Sequence, residues 1–237
     1  MAISTNPLAW LRSVQPRRAI ALLLLLLPLT VGAQTVRDLW LSMPPSLAPY
    51  LSTSLRTQCL DFYDMHTDAQ TDNALKGKSR IDTLTSTFLA ATLSKAHTLQ
   101  MKLLPASGSA SGLGSSLGSV SSSSLSSCDS VLCVVRSWDS PKRDSEVQLF
   151  DRQWKPLQAP FTFSADSFVC RPDTMSEECF SRLVALLDPI MFSVSLSPAE
   201  NVLLVKLSPV VPNPEDEKAI EQILVQRKLK WDGKTFK

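Results

Sequence analysis

FLAATLSKAHTLQMKLLP, residues 88–105, and FSVSLSPAENVLLVKLSP, residues 192–209, decide how this chain is read. Each is an apolar run, a short polar break and a second apolar run, which predicts two strands joined as a β-hairpin. The breaks fall near Ser94 to His97 and near Ser197 to Asn201, where Pro198 and Asn201 favour a turn. Aligned without a gap, the two stretches are identical at Phe88/Phe192, Leu99/Leu203, Lys102/Lys206, Leu103/Leu207 and Pro105/Pro209, more matches than chance supplies in so short a window.

A helical stretch precedes each hairpin. Ser46 to about Met65 carries Leu47, Tyr50, Leu51, Leu55, Cys59 and Phe62 at helical spacing. Met175 to Leu187 follows Asp173 or Thr174 as a cap and stops before Pro189. Further strand pairs come after each hairpin: Val131–Trp138 with Glu146–Phe150 across the turn Asp139–Asp144, and Val225–Trp231 with Lys234–Phe236 across Asp232-Gly233. Asn213 as cap and Pro214 at the first position open a helix over Glu215–Leu224. The fold class is α+β, with two related helix-plus-antiparallel-hairpin units, about 34–160 and 161–237. They are expected to form one two-layer body, a single domain over 34–237 with a continuous sheet and its helices on one face, because each unit alone has a small core.

Two segments stand outside that body. Ala106 to Ser127 holds 12 serines and four of the protein's seven glycines, the composition of a flexible insertion in a hairpin connection. Residues 1–33 carry Arg12, Arg17 and Arg18, then an apolar run through Leu22–Leu27, then Val31-Gly32-Ala33, the pattern of a signal peptide cleaved before Gln34. That run is too short to span a bilayer, so no membrane span is expected after cleavage. Position 34 is not cysteine, so no lipid anchor is expected either. Removing three arginines from the 24 basic residues leaves 21 against 22 acids, a formal charge of −1, which argues against nucleic acid as a partner. An oxidising compartment permits disulfides among Cys59, Cys128, Cys133, Cys170 and Cys179. Cys133 lies in an apolar strand and reads as a buried thiol, whereas Cys170 and Cys179 are spaced to close a short loop.

No motif specifies a reaction. Asp61, Asp64, Asp68 and Asp72 would align four carboxylates on one face of an unbroken helix, a set that suits a hard cation but equally a solvated face. His66 and His97 are the only histidines, both expected at the surface, with no zinc-ligand spacing around them. Gly114-Ser115-Ser116-Leu117-Gly118 matches the nucleophile-elbow pattern but has serine-rich flanks where a strand and a helix are required. Gly77-Lys78-Ser79 lacks the earlier glycine of a phosphate loop and reads as a turn entering a strand at Arg80. No catalytic, cofactor-binding or metal residue is assigned, and no cofactor is expected. Trp40, Trp138, Trp154 and Trp231 would suit glycans or peptides if exposed together, and otherwise serve as packing anchors.

Val36-Arg37-Asp38-Leu39-Trp40-Leu41-Ser42-Met43-Pro44, with Gly77-Lys78-Ser79, Leu99-Gln100-Met101-Lys102-Leu103-Leu104 and Asp151-Arg152-Gln153-Trp154-Lys155-Pro156-Leu157, resembles an exported family of Bacteroidales bacteria known as domain of unknown function 3256. The resemblance implies a periplasmic or secreted protein of a Gram-negative bacterium and carries no catalytic residue. It also brings in a modification motif of such bacteria, Asp then Ser or Thr then an apolar residue, matched at Asp82-Thr83-Leu84, Asp129-Ser130-Val131 and Asp173-Thr174-Met175. The expected function is a non-enzymatic protein-binding or structural module with an envelope protein as possible partner. The alternatives are a hydrolase or lyase using carboxylates such as Asp61 and Asp64, or a glycan- or peptide-binding module using exposed tryptophans.

Overall fold

The structure is a computed structural model that describes residues 34–106, 130–139, 141–158 and 162–237. The expected signal segment, most of the serine-rich stretch, the nucleophile-elbow match and Cys128 lie outside the described residues. Residues 34–237 form one compact unit.

Helices and antiparallel sheets make the protein α+β. Among the described residues the helices are α1 (Val36–Ser42), α2 (Thr53–Asp64), α3 (Glu177–Ala185) and α4 (Pro214–Glu221). A seven-stranded sheet runs in sequence order through β1 (Thr71–Asp72), β2 (Lys78–Leu84), β3 (Phe88–Ser94), β4 (His97–Pro105), β5 (Ser130–Asp139), β6 (Arg143–Phe150) and β7 (Pro156–Leu157). A second sheet holds β8 (Phe192–Leu196), β9 (Val202–Leu207) and β10 (Arg227–Lys230), in the order β10-β9-β8. The expected continuous sheet is therefore two sheets, and the expected two layers are three: helices, large sheet, and the C-terminal sheet with its helices.

Period-two alternation assigns the two faces of the large sheet. Leu89, Ala91, Leu93, Leu99, Met101, Leu103, Leu132 and Val134 point to the first face, against Val36, Leu39, Trp40, Met43, Leu47, Leu51, Cys59 and Leu60 of the N-terminal layer. Leu104, Val131, Cys133, Val135 and Leu149 point to the second face, against Leu183, Val194, Leu196, Leu203, Val205, Ile220 and Ile223. Strands buried on both faces read as unbroken apolar runs, which is the pattern of Val131–Val135.

Local chemistry sets the element ends. The helix expected from Ser46 begins at Thr53, because Pro49 interrupts the run and Ser52 accepts from Leu55 N as the cap. Leu47 and Leu51 stay buried, carried by turns instead. Ser176, not Asp173 or Thr174, caps α3, and Asn213 caps α4 with Pro214 at its start. The β5–β6 turn is tighter than Asp139–Asp144, since Asp139 pairs with Arg143. The two quoted hairpins both form, the first turning over Lys95-Ala96 and the second over the longer Ser197–Asn201.

The small sheet meets the large one through its edge strand. Alternate N–H groups of β8 donate to large-sheet side chains: Phe192 to Asp144 Oδ1 at 3.3 Å, Val194 to Ser145 Oγ at 3.0 Å and Leu196 to Gln100 Oε1 at 2.7 Å. An open strand edge is thus closed without another strand. Lys102, 2% exposed, reinforces the seam by donating through Nζ to the carbonyls of Ser197 (2.6 Å), Pro198 (3.0 Å) and Glu200 (2.8 Å). Trp231 Nε1 donates to Pro105 O at 2.7 Å, a further tie between the two sheets.

Candidate functional site

The four aspartates do not share a helix face. Asp64 is the last residue of α2, Met65 caps it, and His66 takes a positive φ of 52°, so the chain has turned before Asp68. Asp64 is ion-paired with Arg37, and Asp72, in β1, with Lys78 at 2.6 Å. Among the described residues no group of three or more His, Cys, Asp or Glu is placed to hold a metal ion. A concavity of about 360 Å³ between the end of α2 and the open edge of β2 gathers Tyr63, His66, Asp68, Arg80 and Asp82, but neither Asp61 nor Asp64 lines it. Within it Asp82 is already held by Arg80 (2.7 Å) and Thr92 (2.7 Å).

Other sequence candidates resolve individually. Cys59 and Cys133 are buried thiols, whose pKa burial pushes up, and Cys170 and Cys179 are free rather than bridged. Gly77 enters β2 through a turn built on the buried Asn73, whose Oδ1 accepts from Leu75 N and Gly77 N. Trp40, Trp154 and Trp231 are buried and, among the described residues, only Trp138 is exposed, at 38%, so the expected shared patch of exposed tryptophans is not formed. At the modification motifs, Thr174 is exposed in a turn, Thr83 lies within β2, and Ser130 is buried with Oγ accepting from Arg152 Nε at 2.8 Å.

His97 is the main correction. The first hairpin turns so tightly that His97 is already strand residue one of β4, paired across to Trp138 of β5, and it is only 7% exposed. Its ring stacks on Trp138 with centroids 5.1 Å apart, and Nδ1 is hydrogen-bonded to the Tyr50 hydroxyl. Nε2 is buried without a partner, an arrangement that costs free energy and calls for a reason. Burial, with the Arg136 charge second, brings the imidazole down to about 4, and burial takes the Tyr50 phenol up to about 12.

Arg136 completes the group. It lies two residues before Trp138 on the same face, its guanidinium 5.4 Å from the indole, with Nη2 on Glu146 Oε2 at 2.5 Å and Nε buried without a partner. Gln148, next along the same face of β6, donates to Glu146 Oε1 at 2.6 Å. Beside them opens a concavity of about 350 Å³, lined by Pro44, Ser46, Leu47, Arg136, Gln148, Phe150, Trp154 and Pro156. Tyr50 of the 43–51 stretch covers His97, while Pro44, Ser46 and Leu47 border this concavity together with Arg136, Gln148 and Phe150. Sequence reasoning passed over Arg136, Glu146 and Gln148. Their alternation with Val135 and Val147 was legible, but nothing local marked which residues would pack around that face.

A proton-transfer catalyst needs groups titrating near the working pH. Here the histidine is moved well below neutrality and the tyrosine well above it, so at neutral pH the cluster offers fixed dipoles, aromatic surface and one cation.

No curated protein matches the chain. A solved structure described as a domain of an uncharacterized protein from Porphyromonas gingivalis W83 is similar over 85% of this chain and 98% of its own, with a TM-score of 0.63 and 22% identity. At that identity it supports the fold alone. The model of a family described as protein of unknown function (DUF3256) matches residues 28–236, and the chain belongs to that family.

Proposed function

We propose that this is an exported, non-enzymatic protein-binding module, periplasmic or secreted, that recognises an envelope protein through the corner of the first sheet face around Arg136 and Trp138. The observation that carries the reading is the aromatic and cationic cluster beside an open concavity, with its titratable members displaced away from neutral pH. The export half rests on the arginine-then-leucine pattern of residues 1–33 and predicts Gln34 as the first residue of the mature protein, which N-terminal sequencing of the secreted form checks. We read the body as a duplication of a helix-and-hairpin unit, in which the second hairpin became the small sheet.

Capture from the native envelope tests the reading. Wild-type protein should recover a defined partner, and Trp138→Ala should lose it while keeping its circular-dichroism spectrum. Recovery of no partner, or equal recovery by Trp138→Ala, overturns the proposal.

A further inference from the structure

Among the described residues Arg56, Lys102 and Arg136 use their donors differently. Arg56 is 3% exposed, and its two terminal nitrogens donate to Met43 O (2.6 Å), Leu41 O (3.2 Å) and Thr53 Oγ1 (2.9 Å). Lys102 directs its ammonium at three carbonyls. Arg136 is held as firmly, by Glu146 and by stacking on Trp138, yet only Nη2 is engaged. Nη1 has no partner among the described residues, on a side chain only 17% exposed that forms part of the wall of the 350 Å³ concavity.

The rest of that wall narrows the occupant. Both oxygens of Glu146 are taken, one by Arg136 and one by Gln148, so the acceptor that Nη1 lacks is not supplied by the site. Ser46 lines the same space, and its hydroxyl forms no hydrogen bond among the described residues. Arg136 and Ser46, both able to donate, thus line a hollow whose other walls are Gln148, Leu47, Phe150, Trp154 and two prolines. A guanidinium pairs with a planar carboxylate in matched geometry. The adjacent Glu146 charge opposes a second negative charge, which favours a monoanion over a phosphate. The volume accommodates one amino-acid residue, not a long chain.

We propose that this concavity binds the C-terminal residue of a partner polypeptide, its free carboxylate on Arg136 Nη1 and Ser46 and its aromatic or large aliphatic side chain against Leu47, Phe150 and Trp154. The inference rests on the reading of this face as a protein-binding surface and adds the chemistry that the surface recognises.

A titration of the purified protein, followed by Trp fluorescence, uses the pentapeptide Ala-Ala-Ala-Ala-Phe as free acid and as C-terminal amide, with N-acetyl-phenylalanine alongside. The free acid should bind at least about tenfold more tightly than the amide, the loss expected for a charge-assisted pair near 1.4 kcal/mol. Arg136→Gln should abolish the difference and Arg136→Lys should keep part of it. Equal binding of acid and amide, or an unchanged preference in Arg136→Gln, overturns the inference. N-acetyl-phenylalanine, which presents the same carboxylate and ring to a one-residue site, should bind comparably to the pentapeptide acid, and its failure to bind also overturns the inference. If Trp138→Ala loses the captured partner while the acid and amide pentapeptides bind alike, the protein-binding reading stands and only the carboxylate inference falls.

Discussion

Both faces of the large sheet are covered by apolar side chains, but only the second adds a row of directed bonds from a neighbouring strand. On the first, α1, α2 and the 43–51 stretch lay apolar side chains over Leu89, Leu99 and Met101, and specificity comes from shape. On the second, the small sheet is fastened by directed bonds from its own backbone: three N–H groups and three carbonyls of the β8–β9 hairpin end on Gln100, Lys102, Asp144 and Ser145. Packing tolerates sliding in a way that hydrogen bonds to fixed side chains do not. The contrast teaches that an apolar layer can be extended or cut short, whereas the polar seam fixes one docking geometry.

Substitutions can break that contrast. Trp40→Ala removes a fully buried indole that also donates to Arg56 O at 3.1 Å, and should cost about 4 kcal/mol in urea unfolding. If the first layer is held by packing, the residual fold should keep the β8 seam, visible as protected amides at Val194 and Leu196 in hydrogen exchange.

Acid should attack the first face next. His97 has a folded-state pKa depressed to about 4 from an ordinary 6.5, so the unfolded chain takes up the proton first. Its contribution is fully present above pH 6.5 and is lost as pH falls towards 4, a slope that integrates to about 3 kcal/mol. Chemical denaturation at pH 7 and pH 4.5 measures it, and His97→Gln should flatten the difference.

The seam is probed more gently. Lys102→Met leaves three carbonyls without their donor and should cost about 2 kcal/mol, with the β8–β9 turn loosening before either core. Ser145→Ala removes the acceptor of Val194 N and should cost about 1 kcal/mol. If Lys102→Met and Ser145→Ala together cost no more than Lys102→Met alone, the seam acts as one unit rather than as independent bonds.

Much of the local architecture was legible. Both hairpins, the Asn213-Pro214 helix start and the Asp232-Gly233 turn, with Gly233 at φ 99°, follow from residue types whose preferences are local. What was not legible came from distance. The helix expected over Ser46–Met65 lost its first part to Pro49, a local signal outweighed in the reading by apolar spacing that tertiary burial had imposed. His97 looked like a turn residue until Tyr50, 47 positions earlier, was laid over it. The second sheet stays separate from the first because the edge of β8 that does not pair with β9 finds its partners in side chains, and no property of residues 192–196 announces that. At the candidate site Trp138 was visible as a tryptophan, but the unused donor on Arg136 depends on residues far away in sequence, Pro44, Ser46 and Leu47 among them, that border the same concavity.

One pairing has a practical meaning. Pro105, the last residue of β4, and Ser130, the first of β5, are direct partners across the sheet, so the chain leaves and re-enters at a single anchored point. The 24 positions between them close a loop whose mouth the ladder already fixes, and halving or doubling such a loop changes stability by only about 0.6 kcal/mol. That makes the joint an insertion port: a fluorescent domain or affinity tag spliced there would ride on the protein with both cores, the polar seam and the Arg136 corner left as they are.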